Sequence, residues 1–148
     1  MAVVVGMRGR RAPALARRLG RSARRLLRAL QLSDAELSLL LVSDLEMRRL
    51  NHVYRGKDRP TDVLSFSQRE GLGMTANGLL GDVVISLDTA RRQAADHRAS
   101  LARESERLLI HGLLHLLGYD HERSRTEARR MQRRERVLAR VLCAGGTR

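Results

Sequence analysis

The alternation of apolar and polar residues along the chain predicts short strands and amphipathic helices in mixed order. Apolar runs with the length of a strand predict four strands, at residues 2–5, 37–42, 62–66 and 81–87. Apolar residues at helical spacing predict five helices, over about residues 12–31, 44–54, 88–96, 101–117 and 126–142. This mixture predicts an α+β fold.

Glycine, proline and small polar residues mark the ends of these elements. Pro13 suits the first turn of the first helix, and Gly118 is placed to end the fourth. Residues 33–36 resemble the start of a helix or a turn, and residues 69–78, with three glycines, predict a connecting loop. No internal repeat or linker interrupts the pattern, so we predict one domain over residues 1–148.

Aromatic residues are scarce. Phe66, Tyr54 and Tyr119 are the only ones besides histidine, and they make up 2% of the chain. The core is therefore expected to be aliphatic. A row of aromatic side chains for stacking bases, as many single-strand binders have, is largely excluded.

The charge balance is strongly basic, with a formal net charge of +13. Lys57 is the only lysine among the 29 basic residues, a bias typical of genomic composition rather than of chemistry at each site. Residues 1–33 contain nine arginines and no acid. Such a surplus indicates an anionic partner, most commonly a phosphate backbone. The alternative is a charged surface that only keeps the protein in solution.

Cysteine content and hydropathy limit the compartment and the kinds of site. Cys143 is the only cysteine, which excludes an internal disulfide and a cysteine-based zinc site. The apolar stretch at residues 2–5 is too short for a signal peptide, and no run approaches the ~18 apolar residues of a membrane span. We expect a soluble, cytoplasmic protein with no membrane partner.

The segment HGLLHLLGYDH, residues 111–121, carries the clearest chemistry. His111 and His115 are one helical turn apart on the same face, and Gly118 allows the chain to reverse so that His121 joins them. Three neutral imidazoles leave a tetrahedral Zn²⁺ with one open position, which is typical of catalytic sites. Nitrogen ligands favour zinc over magnesium.

The alternative is that these histidines are packed, hydrogen-bonded core residues. That interpretation is reasonable for His111 and His115 alone, because such pairs occur on leucine-rich helices. His121 weakens it, since three of the five histidines then fall within eleven residues. Burying so many imidazoles on an apolar face without a ligand would be costly.

One position separates this segment from zinc peptidases. In the HExxH motif a glutamate follows the first histidine and acts as general base. Here that position is Gly112. A peptidase would need its carboxylate from elsewhere, so peptidase activity is not expected.

The same segment is similar to the signature of the YbeY family of bacterial endoribonucleases, and the resemblance extends over about residues 37–137. It is weakest in the arginine-rich first thirty residues. Its further motifs are Leu50-Asn51, Tyr54 to Asp58 (YRGKD), Pro60 to Phe66 (PTDVLSF), Leu80-Gly81-Asp82, Met131 and Glu135.

This resemblance implies a zincin-like αβα layered domain, with a small mixed sheet and helices around it. It implies metal-dependent cleavage of single-stranded RNA, in maturation of the 16S rRNA 3′ end and in ribosome quality control. The implied partners are rRNA and small-subunit assembly components. The family's metal ligands fall on His111, His115 and His121, with one Zn²⁺ per chain, and its functionally important arginine falls on Arg55. We expect Arg55 and His115 to be catalytic.

Arg55 also has a chemical rationale, because a guanidinium can bind a phosphate with two hydrogen bonds and stabilise charge in the transition state. Without the motif it would be one surface arginine among many. We expect Asp62 to brace a turn, and Asp120 to orient a metal-binding histidine. His52 and His97 are interpreted as ordinary helix or loop residues.

Two other functions remain open from the sequence. One is a metallohydrolase of another substrate, which the basic charge and Gly112 disfavour. The other is an rRNA-binding assembly factor whose zinc is mainly structural. The oligomeric state is not indicated.

Overall fold

The computed structural model describes residues 2–67 and 79–145, so the predicted loop at 69–78 lies outside the described residues. The elements follow in mixed order. They are β1 (Ala2–Arg8), α1 (Pro13–Ala29), β2 (Glu36–Val42), α2 (Asp44–Arg55), β3 (Val63–Ser67), β4 (Leu79–Ser86), α3 (Leu87–Asp96), α4 (Leu101–Leu116) and α5 (Arg125–Gly145).

The predicted order of strands and helices is confirmed, with element ends moved by a few residues. Strand β1 extends beyond the apolar run to Arg8, because its whole length pairs with β2 and backbone hydrogen bonds do not depend on side-chain polarity. Residues 33–34 form a turn that leads into β2, whose first residue is Glu36, so this segment does not begin a helix. Pro13 lies in the first turn of α1, as predicted.

The four strands form one mixed sheet in the order β1-β2-β4-β3. Strands β1, β2 and β4 are parallel, and β3 is antiparallel to β4. Helices cover both faces of the sheet, which confirms the α+β layered prediction.

The alternation of side chains along β2 builds two cores of unequal size. Leu37, Leu39 and Leu41 point into the larger core, to which α1, α3, α4 and α5 contribute. Val42 points to the other face and packs with Met47 of α2. Both cores are aliphatic, as the scarcity of aromatic residues predicts.

Helix α4 lies at the centre of the larger core and contacts α1, α3, α5, β3 and β4. Its residues Leu109, Leu113 and Leu114 are fully buried. Gly112 allows a close approach to the sheet, because a Cβ there would lie 2.8 Å from Cγ1 of Val83 and 3.2 Å from Cγ2 of Val63. The glutamate of the peptidase motif therefore has no space at this position.

This packing predicts opposite effects for two glycine-to-alanine changes within helices. We expect Gly112→Ala to lower the free energy of unfolding by about 1–3 kcal/mol, because the methyl group must displace valines held in the sheet. Gly20→Ala is the matched control: its Cβ would be 3.4 Å from Val5 Cγ2, an ordinary contact. It should be neutral or stabilise by up to about 1 kcal/mol through helix propensity. Denaturant unfolding measures both, and equal stabilisation by the two changes would contradict this packing.

Candidate metal centre and its cleft

The three histidines of the motif come together at the carboxyl-terminal end of α4. Their possible ligand atoms all lie within 4.8 Å of one another. The ring centroids of His111 and His115 are 4.8 Å apart, and that of His121 lies 5.3 Å and 5.4 Å from them. Three nitrogens at this spacing can surround one ion with small side-chain adjustments.

The reversal that returns His121 depends on Gly118. This glycine has a φ of +97°, where a side chain would be strained. Its N–H donates to the His115 carbonyl at 3.0 Å, and the Tyr119 N–H donates to the Leu114 carbonyl at 3.1 Å. These bonds satisfy carbonyls at the end of α4 and turn the chain back over the histidines.

Asp120 stabilises the turn that carries His121, because its Oδ1 accepts a hydrogen bond from the Glu122 N–H at 2.9 Å. Within the described residues no hydrogen bond joins Asp120 to the three histidines, but its charge raises the pKa of His115. That Asp120 orients a metal-binding histidine therefore stays a prediction.

Glu135 of α5 contacts one of the three histidines directly. His111 Nδ1 lies 2.8 Å from Glu135 Oε2, so a proton on Nδ1 is donated to the carboxylate. Nε2 of His111 is then left with its lone pair for a metal. The motif of the last helix pointed to Glu135, but its contact with a residue 24 positions away depends on the packing of α5 against α4.

The environment of His115 favours the neutral imidazole. Burial lowers the pKa of His115, and the neighbouring His111 and His121 lower it further. Arg55 acts in the same direction, while Asp120 opposes it. A neutral imidazole is the form that binds metal.

A cleft of about 210 Å³ opens beside the histidines. Arg55, the last residue of α2, lines it, together with Lys57 and Arg59 of the following loop. None of these three cations forms a salt bridge with an acid in the part of the chain that the structure describes. They are therefore available to an anion.

The loop that carries these cations is held by Asn51, a buried residue of α2. Asn51 Nδ2 donates to the Arg59 carbonyl at 2.8 Å, and the Lys57 N–H donates to the Asn51 carbonyl at 3.3 Å. Gly56, at a φ of +70°, ends α2 between Asn51 and Lys57. The end of α2 and its loop thus place three cations at the cleft, namely Arg55, Lys57 and Arg59. From the sequence, a functional role was predicted only for Arg55.

Two other residues singled out from the sequence, Asp62 and His97, make structural contacts, and Asp62 also lines the cleft. Asp62 accepts hydrogen bonds from the Val63 N–H at 2.7 Å and from Gln93 Nε2 at 3.2 Å, so it braces the start of β3 as expected. His97 is paired with Glu104 at 2.9 Å, away from the motif.

Comparison with known proteins identifies the family to which this chain belongs. The family model described as endoribonuclease YbeY matches residues 11–142. The chain belongs to the endoribonuclease YbeY family. Its relatives include the endoribonuclease YbeY of Anaeromyxobacter sp. (strain Fw109-5), 56% identical over 90% of this chain and 67% of the relative. That of Geobacter sulfurreducens is 46% identical over 99% of both chains.

The fold has a counterpart among solved structures. The solution structure of TM1509 from Thermotoga maritima matches with a TM-score of 0.65 and 25% identity, over 94% of this chain and 89% of that chain. The resemblance to the YbeY family predicted from the motifs is therefore confirmed, and with it membership of a family of RNA-cleaving enzymes. Among the described residues, no helix is both long and apolar enough to cross a membrane.

The contact between Glu135 and His111 predicts a specific loss of metal affinity. We expect Glu135→Ala to weaken metal binding, measured with zinc, about 10- to 100-fold, because the imidazole loses the carboxylate that fixes its orientation and tautomer. Glu135→Gln keeps an acceptor oxygen and should have a smaller effect. Competition with a chelating dye measures the affinity.

Glu127→Ala is the matched control, because Glu127 lies on the same helix and pairs with Arg130 at 2.9 Å. It should leave zinc affinity unchanged. Equal affinities for Glu135→Ala and Glu127→Ala would exclude Glu135 from the support of the site.

Proposed function

We propose that this chain is a zinc-dependent endoribonuclease that cleaves single-stranded RNA, with a role in maturing the 16S rRNA 3′ end and in ribosome quality control. The observation that carries the proposal is the convergence of three histidine ligands and the unpaired Arg55 on one cleft. On this proposal His111, His115 and His121 are the metal ligands, and Arg55 and His115 are the catalytic residues.

The donor set suits zinc. Three imidazoles are typical of a catalytic zinc site, which keeps its fourth position open. Cys143, the only cysteine, lies on α5 near Arg103 rather than among the three histidines. Zinc held by the three histidines would supply Lewis acidity toward a phosphoryl oxygen and promote ionisation of water near neutral pH.

The protein's own groups bind and orient the phosphodiester. The Arg55 guanidinium can donate two hydrogen bonds to the scissile phosphate and stabilise its added charge during cleavage. Lys57 and Arg59, on the loop that follows α2, also line the cleft, and on this proposal they bind neighbouring phosphates. Glu135 keeps the proton of His111 on Nδ1, away from the ligand nitrogen.

The lining of the cleft favours a phosphodiester over a peptide. Gly112 lies where a peptidase carries its base, and the lining cations suit phosphates. The proposal implies action in the cytoplasm, on the ribosome or on small-subunit assembly intermediates.

Two substitutions separate metal binding from catalysis. His115→Ala should abolish stoichiometric zinc binding and cleavage of a labelled single-stranded rRNA fragment together. Arg55→Ala should keep the zinc and lose about 10²–10³-fold in cleavage rate, the usual cost of removing one group that stabilises transition-state charge. Arg49→Ala is the control on the same helix, since Arg49 pairs with Glu46 and does not line the cleft. Purified, zinc-loaded protein that binds the fragment but never cuts it would overturn the proposal.

Metal removal distinguishes a catalytic zinc from a structural one. The three ligands lie at the carboxyl-terminal end of α4 on the side of the cleft, whereas both cores are formed by aliphatic side chains that include none of the ligands. We therefore expect chelation to abolish cleavage, while far-UV circular dichroism still shows a folded protein. Cooperative unfolding on chelation would indicate a structural zinc and favour an assembly factor.

A further inference from the structure

Helix α1 carries six arginines. Within the described residues, the side chains of two of them form hydrogen bonds with neighbouring helices. Arg18 donates to Glu106 of α4, with Nε 3.2 Å from Oε2 and Nη2 3.3 Å from Oε1. Arg25 donates to the backbone carbonyls of Val141 and Leu142 on α5. These two residues attach α1 to its neighbouring helices.

The other four arginines form a row on the exposed side of α1. They are Arg17, Arg21, Arg24 and Arg28. Their spacing of four, three and four residues places them on one face, along about 16 Å of helix axis at a rise of 1.5 Å per residue. None forms a salt bridge within residues 2–67 and 79–145. We call these four residues the arginine row.

The arginine row is unfavourable for the isolated protein. Like charges three and four residues apart destabilise a helix, and α1 has no acid in its first turn to offset them. A surface that only maintains solubility usually mixes both signs of charge. Genomic bias explains arginine in place of lysine, but it does not explain the absence of acids from residues 1–33. An external anion would supply the missing counter-charge.

The arginine row and the cleft lie toward opposite edges of the sheet. Helix α1 packs on β1 at one edge, whereas the cleft includes Val63 and Leu64 of β3 at the other edge. Three interstrand spacings of roughly 4.8 Å separate these strands, about 14 Å in all. An RNA that contacts both therefore extends beyond the nucleotide at the three histidines.

We propose that the arginine row docks the phosphate backbone of an RNA duplex that flanks the single strand held in the cleft. A rigid row of cations suits a rigid array of phosphates, and double-stranded RNA is recognised mainly through its shape and backbone. Single-strand binding surfaces instead combine cations with aromatic side chains, and α1 contains none. This inference rests on the proposed function and adds to it a preference for single strands next to a stem.

The test compares two substrates and two variants. One substrate is a short single-stranded oligonucleotide, and the other is the same sequence joined to a hairpin stem longer than the arginine row. The test variant replaces Arg17, Arg21, Arg24 and Arg28 by glutamine, whose helix propensity is similar. The control variant makes the same change at Arg91, Arg98, Arg136 and Arg140, exposed positions on and near α3 and α5. Like the arginine row, these four form no salt bridge within the described residues, so the control removes equal, unpaired charge.

For the test variant we expect KM to rise at least tenfold on the stem-linked substrate and to stay within twofold on the short one. The slope of log affinity against log salt concentration is measured for binding to an uncleaved stem. Its magnitude should fall by about three, because each of the four phosphate contacts that the variant loses contributes roughly 0.7–0.9. Zinc content should match that of the wild-type protein, and the thermal midpoint should be equal or slightly higher, because the substitutions relieve the repulsion within the arginine row.

An unchanged KM on the stem-linked substrate would overturn the proposal. An equal rise for the control variant would also overturn it, because the effect would then come from net charge alone. Failure of the wild-type protein to cut either substrate would count against the nuclease activity instead. The salt slope for the uncleaved stem would still test the arginine row in that case.

Discussion

The close packing of α4 on the sheet is the constraint on which the rest of the structure depends. Gly112 removes the side chain at the point of closest approach, so the helix lies directly against Val83 and Val63. The neighbouring His111 is thereby placed beside β3, within the cleft that β3 helps to form. His115 follows one turn later on the same face. The same glycine stands where zinc peptidases carry their general base, so the packing that builds this site leaves no space for that glutamate.

The other parts of the site come from separate elements that are fixed against this helix. Gly118 returns His121 over the end of α4, and Glu135 reaches His111 from α5. Arg55 comes from the end of α2, on the opposite face of the sheet, with its loop held by Asn51. Local hydrogen bonds hold the turn before His121 and the loop after Arg55, whereas His111 is held by a contact between two helices. The site is thus assembled from α2, α4 and α5, and its geometry depends on the packing between them.

Local patterns allowed much of this to be predicted from the sequence. Helical spacing paired His111 with His115, and Gly118 marked the reversal that returns His121. Contacts between distant segments were not predictable in this way. Asp120, adjacent in sequence to His121, accepts its hydrogen bond from its own turn, whereas the hydrogen bond of His111 goes to Glu135 through tertiary packing. The roles of Lys57 and Arg59 depend on how their loop folds onto Asn51, which no periodicity encodes.

The coordination of the metal tests the central claim most directly. X-ray absorption at the zinc edge, on protein loaded with one zinc per chain, reports the number and kind of ligands. The account predicts three imidazole nitrogens at about 2.0–2.1 Å and one exchangeable oxygen, with one nitrogen lost in His121→Ala. A site with four protein ligands and no exchangeable oxygen, or a spectrum unchanged in His121→Ala, would contradict it.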